Sequence, residues 1–149
     1  MLNVGKIVEG IVLDHIEAGK AMLIYHYLHL DREDYPVAII KNARSNDMGR
    51  KDILKVECDP DLINLDAVAF VSPQATVNVI KGGKIVEKKK MTLPAEIKGV
   101  LKCHNPRCIS SVEQELPHIF YLADAKRGIY RCRYCEEKHS YGETAKMFL

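Results

Sequence analysis

At 149 residues, with 47% apolar and 28% charged side chains and no Trp, the chain has the composition of a folded protein rather than a disordered or low-complexity one. A formal net charge of +2 is too small for a dedicated nucleic-acid binder, which carries a pronounced basic excess, so any basic site must be local. No apolar run is long enough to cross a membrane, and the stretch from Met1 to Lys6 lacks the basic, apolar and small-residue regions of a secretory leader, so a cytoplasmic protein is expected.

Val4 to Ile16 reads as a long apolar first strand. From Ala18 to Leu30, Met22, Tyr25 and Leu28 recur near helical spacing, with Leu23, Ile24 and Tyr27 widening the face. Tyr35 to Asn42 and Lys51 to Cys58 predict two strands joined through the polar segment from Ala43 to Arg50. Asp59-Pro60-Asp61 has the cap-then-Pro pattern of a helix start and leads into Leu62, Ile63, Leu65, Val68 and Ala69. Gln74 to Lys81 and Lys84 to Lys90 predict a hairpin around Gly82-Gly83. The order is βαββαβ with one extra strand, the ferredoxin-like plan of an α+β protein.

Thr92-Leu93-Pro94-Ala95-Glu96 predicts a joint between a domain over 1–92 and a second over 98–149, the latter small, all-β and zinc-ribbon-like. The second domain holds Cys103, Cys108, Cys132 and Cys135, spaced Cys-x4-Cys-x23-Cys-x2-Cys. Two short-range pairs separated by a loop can place four thiolates at the corners of a tetrahedron, the geometry of a structural zinc ion. All-sulfur ligation implies a closed site, since a catalytic zinc keeps a position open for water or substrate. Two disulfides are the alternative, and they need an oxidising compartment that the N-terminus does not point to. At about 50 residues such a module has a marginal core, and one zinc ion makes up the deficit. Cys58, far from the other four, reads as a partly buried free thiol.

Common catalytic fingerprints are absent from the sequence: no GxxxxGK(S/T) loop, no GxGxxG after a strand, no GxSxG elbow and no HExxH helix. The first domain does carry groups suited to an anion. These are Asp14-His15 at the end of the first strand, Lys51 and Lys55 on one face of the third, Asn78 on the fourth, and Lys88 in Lys88-Lys89-Lys90. Cations for phosphates and Asp for ribose hydroxyls make a nucleotide pocket one reading; ordinary solvated surface is the other.

The blocks Val12-Leu13-Asp14-His15-Ile16, Met48-Gly49-Arg50-Lys51-Asp52 and Pro73-Gln74-Ala75-Thr76-Val77-Asn78, followed by Cys108-Ile109-Ser110 and Cys132-Arg133-Tyr134-Cys135, resemble in order the regulatory chains of aspartate carbamoyltransferase. The resemblance covers essentially the whole chain. It implies a non-catalytic allosteric subunit of pyrimidine biosynthesis, with an N-terminal domain that binds nucleoside triphosphates and a C-terminal zinc domain that docks on the catalytic chain. CTP as inhibitor, ATP as activator, UTP as a further ligand and a regulatory-chain homodimer are also implied. Carried over residue by residue, the nucleotide site comprises Val4, Ile7, Val12, Asp14, His15, Lys51, Lys55, Asn78, Ile80, Ile85 and Lys88. The docking surface comprises Asn105, Glu113, Arg133, Tyr134 and Glu136. Four positions depart from the family pattern: Gly5, Gly83, Asp124 and Glu137.

Two other classes compete. A zinc-ribbon nucleic-acid module is favoured by the Cys pattern with Arg131, Arg133 and Lys138, and opposed by the near-neutral charge. A stand-alone metabolite enzyme is opposed by the lack of any recognisable nucleophile and base pair.

Overall fold

The structure is a computed structural model that describes residues 8–140, so Val4, Gly5 and Ile7 lie outside the described residues. The chain divides into two compact units, Met1–Thr92 and Leu93–Leu149.

The first unit runs β1 (Gly10–Glu17), α1 (Ala21–Tyr27), β2 (Val37–Ser45), β3 (Gly49–Glu57), α2 (Leu65–Val71), β4 (Thr76–Lys81) and β5 (Lys84–Lys90). Its sheet order is β2-β3-β1-β4-β5 with every pairing antiparallel, which is the ferredoxin-like plan extended by β5 at one edge. Strand alternation divides the sheet into two faces. Ile11, Leu13, Leu54, Val56, Val77 and Val79 are buried on one face. Ala21, Ile24 and Tyr27 of α1 and Ala67, Val68, Phe70 and Val71 of α2 complete that core, with Tyr27 edge-on to Phe70 at 6.0 Å between ring centroids. Removing a fully buried side chain here, as in Leu54→Ala, costs about 2–5 kcal/mol. The opposite face bears Val12, Asp14, Lys55, Thr76, Asn78 and Ile80, all partly accessible.

Both helices are shorter than the periodicity predicts. Gly19 sits at φ 95°, so α1 starts only after it, and His29 at φ 55° is left-handed and ends the helix beyond the Leu28 cap. Asp59 accepts from Asp61 N–H and caps a single 3-10 turn, Pro60–Leu62. Ile63 is then extended, and α2 begins afresh where Asn64 Oδ1 accepts from Asp66 N–H at 3.1 Å. The β2–β3 hairpin is tighter than the eight-residue polar segment suggests, because pairing continues to Ser45 opposite Gly49. Gly82 and Gly83, at φ 62° and 76°, form the primed turn that joins β4 to β5.

The second unit is a four-stranded antiparallel sheet, β6 (Glu96–Lys98), β7 (Ile119–Asp124), β8 (Ile129–Cys132) and β9 (Lys138–His139), in order β6-β7-β8-β9. One helical turn, α3 (Ile109–Val112), lies in the β6–β7 connection. Ile97, Leu101, Phe120, Tyr130 and His139 form its small core. Pro94 and Ala95 are tied into this sheet: Tyr130 Oη donates to Pro94 O at 2.6 Å and Leu122 N–H to Ala95 O at 2.9 Å.

Candidate metal centre and effector face

Each cysteine pair sits on its own turn. Cys108 N–H donates to Asn105 O at 3.1 Å, folding the chain back after Cys103; Glu136 N–H donates to Cys132 O at 2.9 Å, folding it back at Cys135. Glu136 completes the second turn in the left-handed region, at φ 65°. The four Sγ atoms lie within 4.8 Å of one another, and none is disulfide-bonded. Cys103 Sγ is 3.6 Å from Cys135 Sγ, and Cys108 Sγ is 3.7 Å from Cys132 Sγ. Four thiolates at about 2.3 Å from a tetrahedral zinc stand about 3.8 Å apart, so the donor set fits the ion. Burial raises the Cys103 and Cys132 thiols. Burial is the largest influence on Cys108 and opposes its ionisation, but the Ser110 hydroxyl, 3.0 Å from its sulfur, the Ser110 N–H and the neighbouring Cys132 and Cys135 thiols together outweigh it and bring that thiol down to about 7. Mutually repelling thiolates in a buried cluster are held together by a divalent cation among them.

Around the cluster, His118 Nδ1 accepts from Cys103 N–H at 3.3 Å. Burial, then the Lys102 charge, lower the His118 pKa, in keeping with a neutral acceptor. His139 is buried beneath His104 and Phe120, with ring centroids at 4.1 and 4.6 Å, and its pKa falls to about 4 through burial first and the neighbouring His104 second.

Of the expected docking residues, Asn105 shapes the first turn, its Oδ1 accepting from Arg107 N–H at 3.0 Å, and Glu113 follows α3 on the surface. Tyr134 and Glu136 ride on the second turn. Tyr134 Oη donates to Pro117 O at 2.8 Å, and Glu136 bonds to the Tyr121 hydroxyl. Arg133 lies 5.0 Å over the Tyr121 ring and pairs with Glu96 at 3.1 Å.

On the accessible face of the first sheet, register does what linear spacing could not specify. Lys55 on β3 stands opposite Val12 on β1, Val12 opposite Asn78 on β4, and Asn78 opposite Lys88 on β5, one transverse row over four strands. A groove of about 310 Å³ beside this row is lined by Asp14, His15, Thr76, Asn78, Lys88, Lys89 and Lys90. Lys51 Nζ joins from β3 by an ion pair with Asp14 Oδ1 at 3.0 Å. Burial pushes the Asp14 carboxyl up, yet Lys51 and the His15 N–H outweigh it and hold the pKa below the ordinary 3.8. His15, left-handed at φ 57°, has Nδ1 3.0 Å from Thr76 Oγ1. Ile80 and Ile85 face each other where the β4–β5 hairpin begins to close, and Ile85 is exposed.

Sequence reasoning missed Thr76 and Lys90. Each is two residues from a residue that it named, Asn78 or Lys88, so strand alternation alone could have found them.

Comparison with known proteins then decides the family. Residues 2–92 match the allosteric domain, and residues 95–145 the metal binding domain, of the aspartate carbamoyltransferase regulatory chain. The chain is 45% identical to a regulatory chain of that name from Clostridium botulinum, over 99% of this chain and 100% of the relative. The chain belongs to this regulatory-chain family. Homologous aspartate carbamoyltransferase regulatory chains from Clostridium acetobutylicum and Bifidobacterium longum are each 45% identical over 92% of this chain, covering 93% and 98% of their own lengths. As a regulatory chain it is a non-catalytic subunit that associates with catalytic chains, and its second unit is a metal-binding domain. No helix among the described residues is long and apolar enough to cross a membrane.

Proposed function

We propose that the accessible face of the first sheet binds a nucleoside triphosphate, with CTP inhibiting and ATP activating, and that the second unit carries one zinc ion and docks on the catalytic chain. The observation that supports the effector reading best is the row Lys55–Val12–Asn78–Lys88 beside Asp14 and His15. It offers ammonium groups for phosphates, a carboxylate for ribose hydroxyls and an amide for further hydrogen bonds. In this reading Asp14 and Lys55 serve the ribose and base side, and His15, Lys51 and Lys88 the phosphates; UTP is a further candidate for the same face. The family resemblance adds Val4 and Ile7 to the site, with the base near Ile7.

Zinc is favoured over other metals by four soft thiolates in tetrahedral spacing, a closed donor set with no position for substrate. The metal holds Asn105 on one turn, and Glu113 just past the α3 that follows it, in register with Arg133, Tyr134 and Glu136 on the other turn, and these form the docking surface. Regulatory chains pair as homodimers that bridge catalytic subunits in the cytoplasm, serving pyrimidine biosynthesis. Effector binding then acts as a coupling free energy of about 1–3 kcal/mol between quaternary states.

The test is the holoenzyme treated with a thiol-reactive mercurial. Catalytic subunits should separate from this chain, keep activity and lose their response to CTP and ATP, and added zinc should restore both assembly and response. A catalytic subunit that still responds to CTP once this chain is removed would overturn the proposal.

A further inference from the structure

Asp52 is completely buried, with 0% of its surface exposed, yet it carries a carboxylate. Three backbone amides converge on it. Asn42 N–H donates to Oδ1 at 2.8 Å, and Gly19 and Ala21 N–H donate to Oδ2 at 3.0 and 3.1 Å. Both oxygens are thus used as acceptors, which a carboxylate can supply and a side-chain amide cannot, because its NH2 would meet the N–H donors head-on.

Asp52 lies beside two β-bulges. On β2, Lys41 and Asn42 together oppose the single residue Asp52; on β1, Asp14 and His15 together oppose its neighbour Ile53. Each bulge contains a left-handed non-glycine residue, Asn42 at φ 59° and His15 at φ 57°, a backbone state that its surroundings must enforce. Asp52 holds the first directly through Asn42 N–H. It restrains the second through the chain that follows it, by anchoring Gly19 and Ala21. Because Asp52 points into the core, alternation turns the adjacent Lys51 to the accessible face, where it meets Asp14 at 3.0 Å.

We propose that Asp52 is the positioning residue of the effector face: it touches no ligand, acts through the two bulges to aim His15 at the groove, and by its own inward orientation sets Lys51 beside Asp14 at the rim. The inference rests on the nucleotide reading given above. It also assigns a task to the Asp of Met48-Gly49-Arg50-Lys51-Asp52 that charge pattern alone does not reveal.

The experiment is calorimetric titration of ATP into the full-length chain, wild type, Lys55→Ala and Asp52→Asn, at a temperature where each is folded, with the His15 imidazole followed by NMR. Asp52→Asn should weaken ATP by about tenfold or more, a change of about 1.4 kcal/mol, and should shift the His15 ring resonances. A merely structural role lowers the melting temperature and leaves both readouts of the folded protein at wild-type values, and that result would overturn the inference. Should Asp52→Asn not fold, Asn42→Val and Asn42→Gly replace it. Val resists the left-handed φ and should reproduce the loss, whereas Gly accepts it and should retain affinity; equal, wild-type affinity in both overturns the inference. If wild type itself binds no ATP, or Lys55→Ala binds it equally well, the nucleotide reading fails and takes the inference with it.

Discussion

Lys51 and Asp14 reach each other across β3 and β1, Nζ to Oδ1 at 3.0 Å, with less than a third of either side chain exposed. The pair sits at the rim of the groove and keeps its carboxylate charged. Since the folded-state pKa of Asp14 is depressed, its contribution to stability is present above the ordinary value of 3.8 and is lost as pH falls below it. Lys51→Met should raise the Asp14 pKa toward or beyond that value, through loss of the cation and continued burial. Carbon-detected NMR titration of the Asp14 carboxyl in both proteins checks the direction; an unmoved midpoint would show that Lys51 does not hold it.

Lys55→Ala and Lys88→Ala should each weaken CTP and ATP, by about 1.5–3 kcal/mol for a lost charge-assisted contact. Lys89→Ala should matter less. Lys89 also borders the groove, but it stands opposite the buried Val77, off the Lys55–Val12–Asn78–Lys88 row, and its ammonium lies 3.9 Å from Glu87. Calorimetry on the three variants separates them, and equal losses at all three would point to diffuse electrostatics in place of a defined row.

The buried His139 predicts a pH dependence of the second unit. Its folded pKa, about 4, lies below the ordinary 6.5, so the unfolded state binds the proton more readily between these values and stability falls as pH drops from 6.5 toward 4. The loss is at most about 3 kcal/mol. His139→Phe, which keeps an aromatic ring beside Phe120, should remove this part of the acid sensitivity while leaving thiolate protonation untouched. Urea unfolding of metal-loaded protein at pH 7 and pH 5 measures it; parallel losses in wild type and variant would assign the acid sensitivity elsewhere.

Changing Cys103, Cys108, Cys132 or Cys135 to Ser should release the metal and disorder the second sheet, whereas Cys58→Ser should do neither. Cys58 lies in the first unit, outside the cluster, its thiol 3.4 Å from Asp59 O. Metal content by mass spectrometry, with hydrogen exchange at Phe120 and Tyr130, provides the measurement. Full metal content in Cys132→Ser would refute the four-sulfur site.

The cluster of four cysteines was legible in the sequence because its geometry is encoded in short spacings: each pair closes its own turn, and folding need only bring two turns together. The row on the accessible face was legible only as a set of chemical types. Lys55, Asn78 and Lys88 are far apart in sequence, and their alignment depends on the registers of three strand pairs and on where the bulges fall. No local pattern fixes these. Helix limits failed for a related reason: the left-handed His29 and the extended Ile63 interrupt runs whose apolar periodicity continues past them. Asp52 escaped because a charge between Lys51 and Ile53 reads as solvated, and only the three converging amides show why it is buried.

The two cysteine turns are far apart in the chain and come from two different connections of a small sheet, one between β6 and β7 and one after β8, so whatever bridges them sets how much motion separates Asn105 from Arg133. Any partner that grips both turns at once restrains the same motion as the metal does. Reciprocity then requires that a docked catalytic chain tighten the hold on the ion by the factor by which the ion tightens docking. Metal exchange should therefore be slow in the assembled enzyme and fast in the free chain, making the ion's residence time a gauge of assembly.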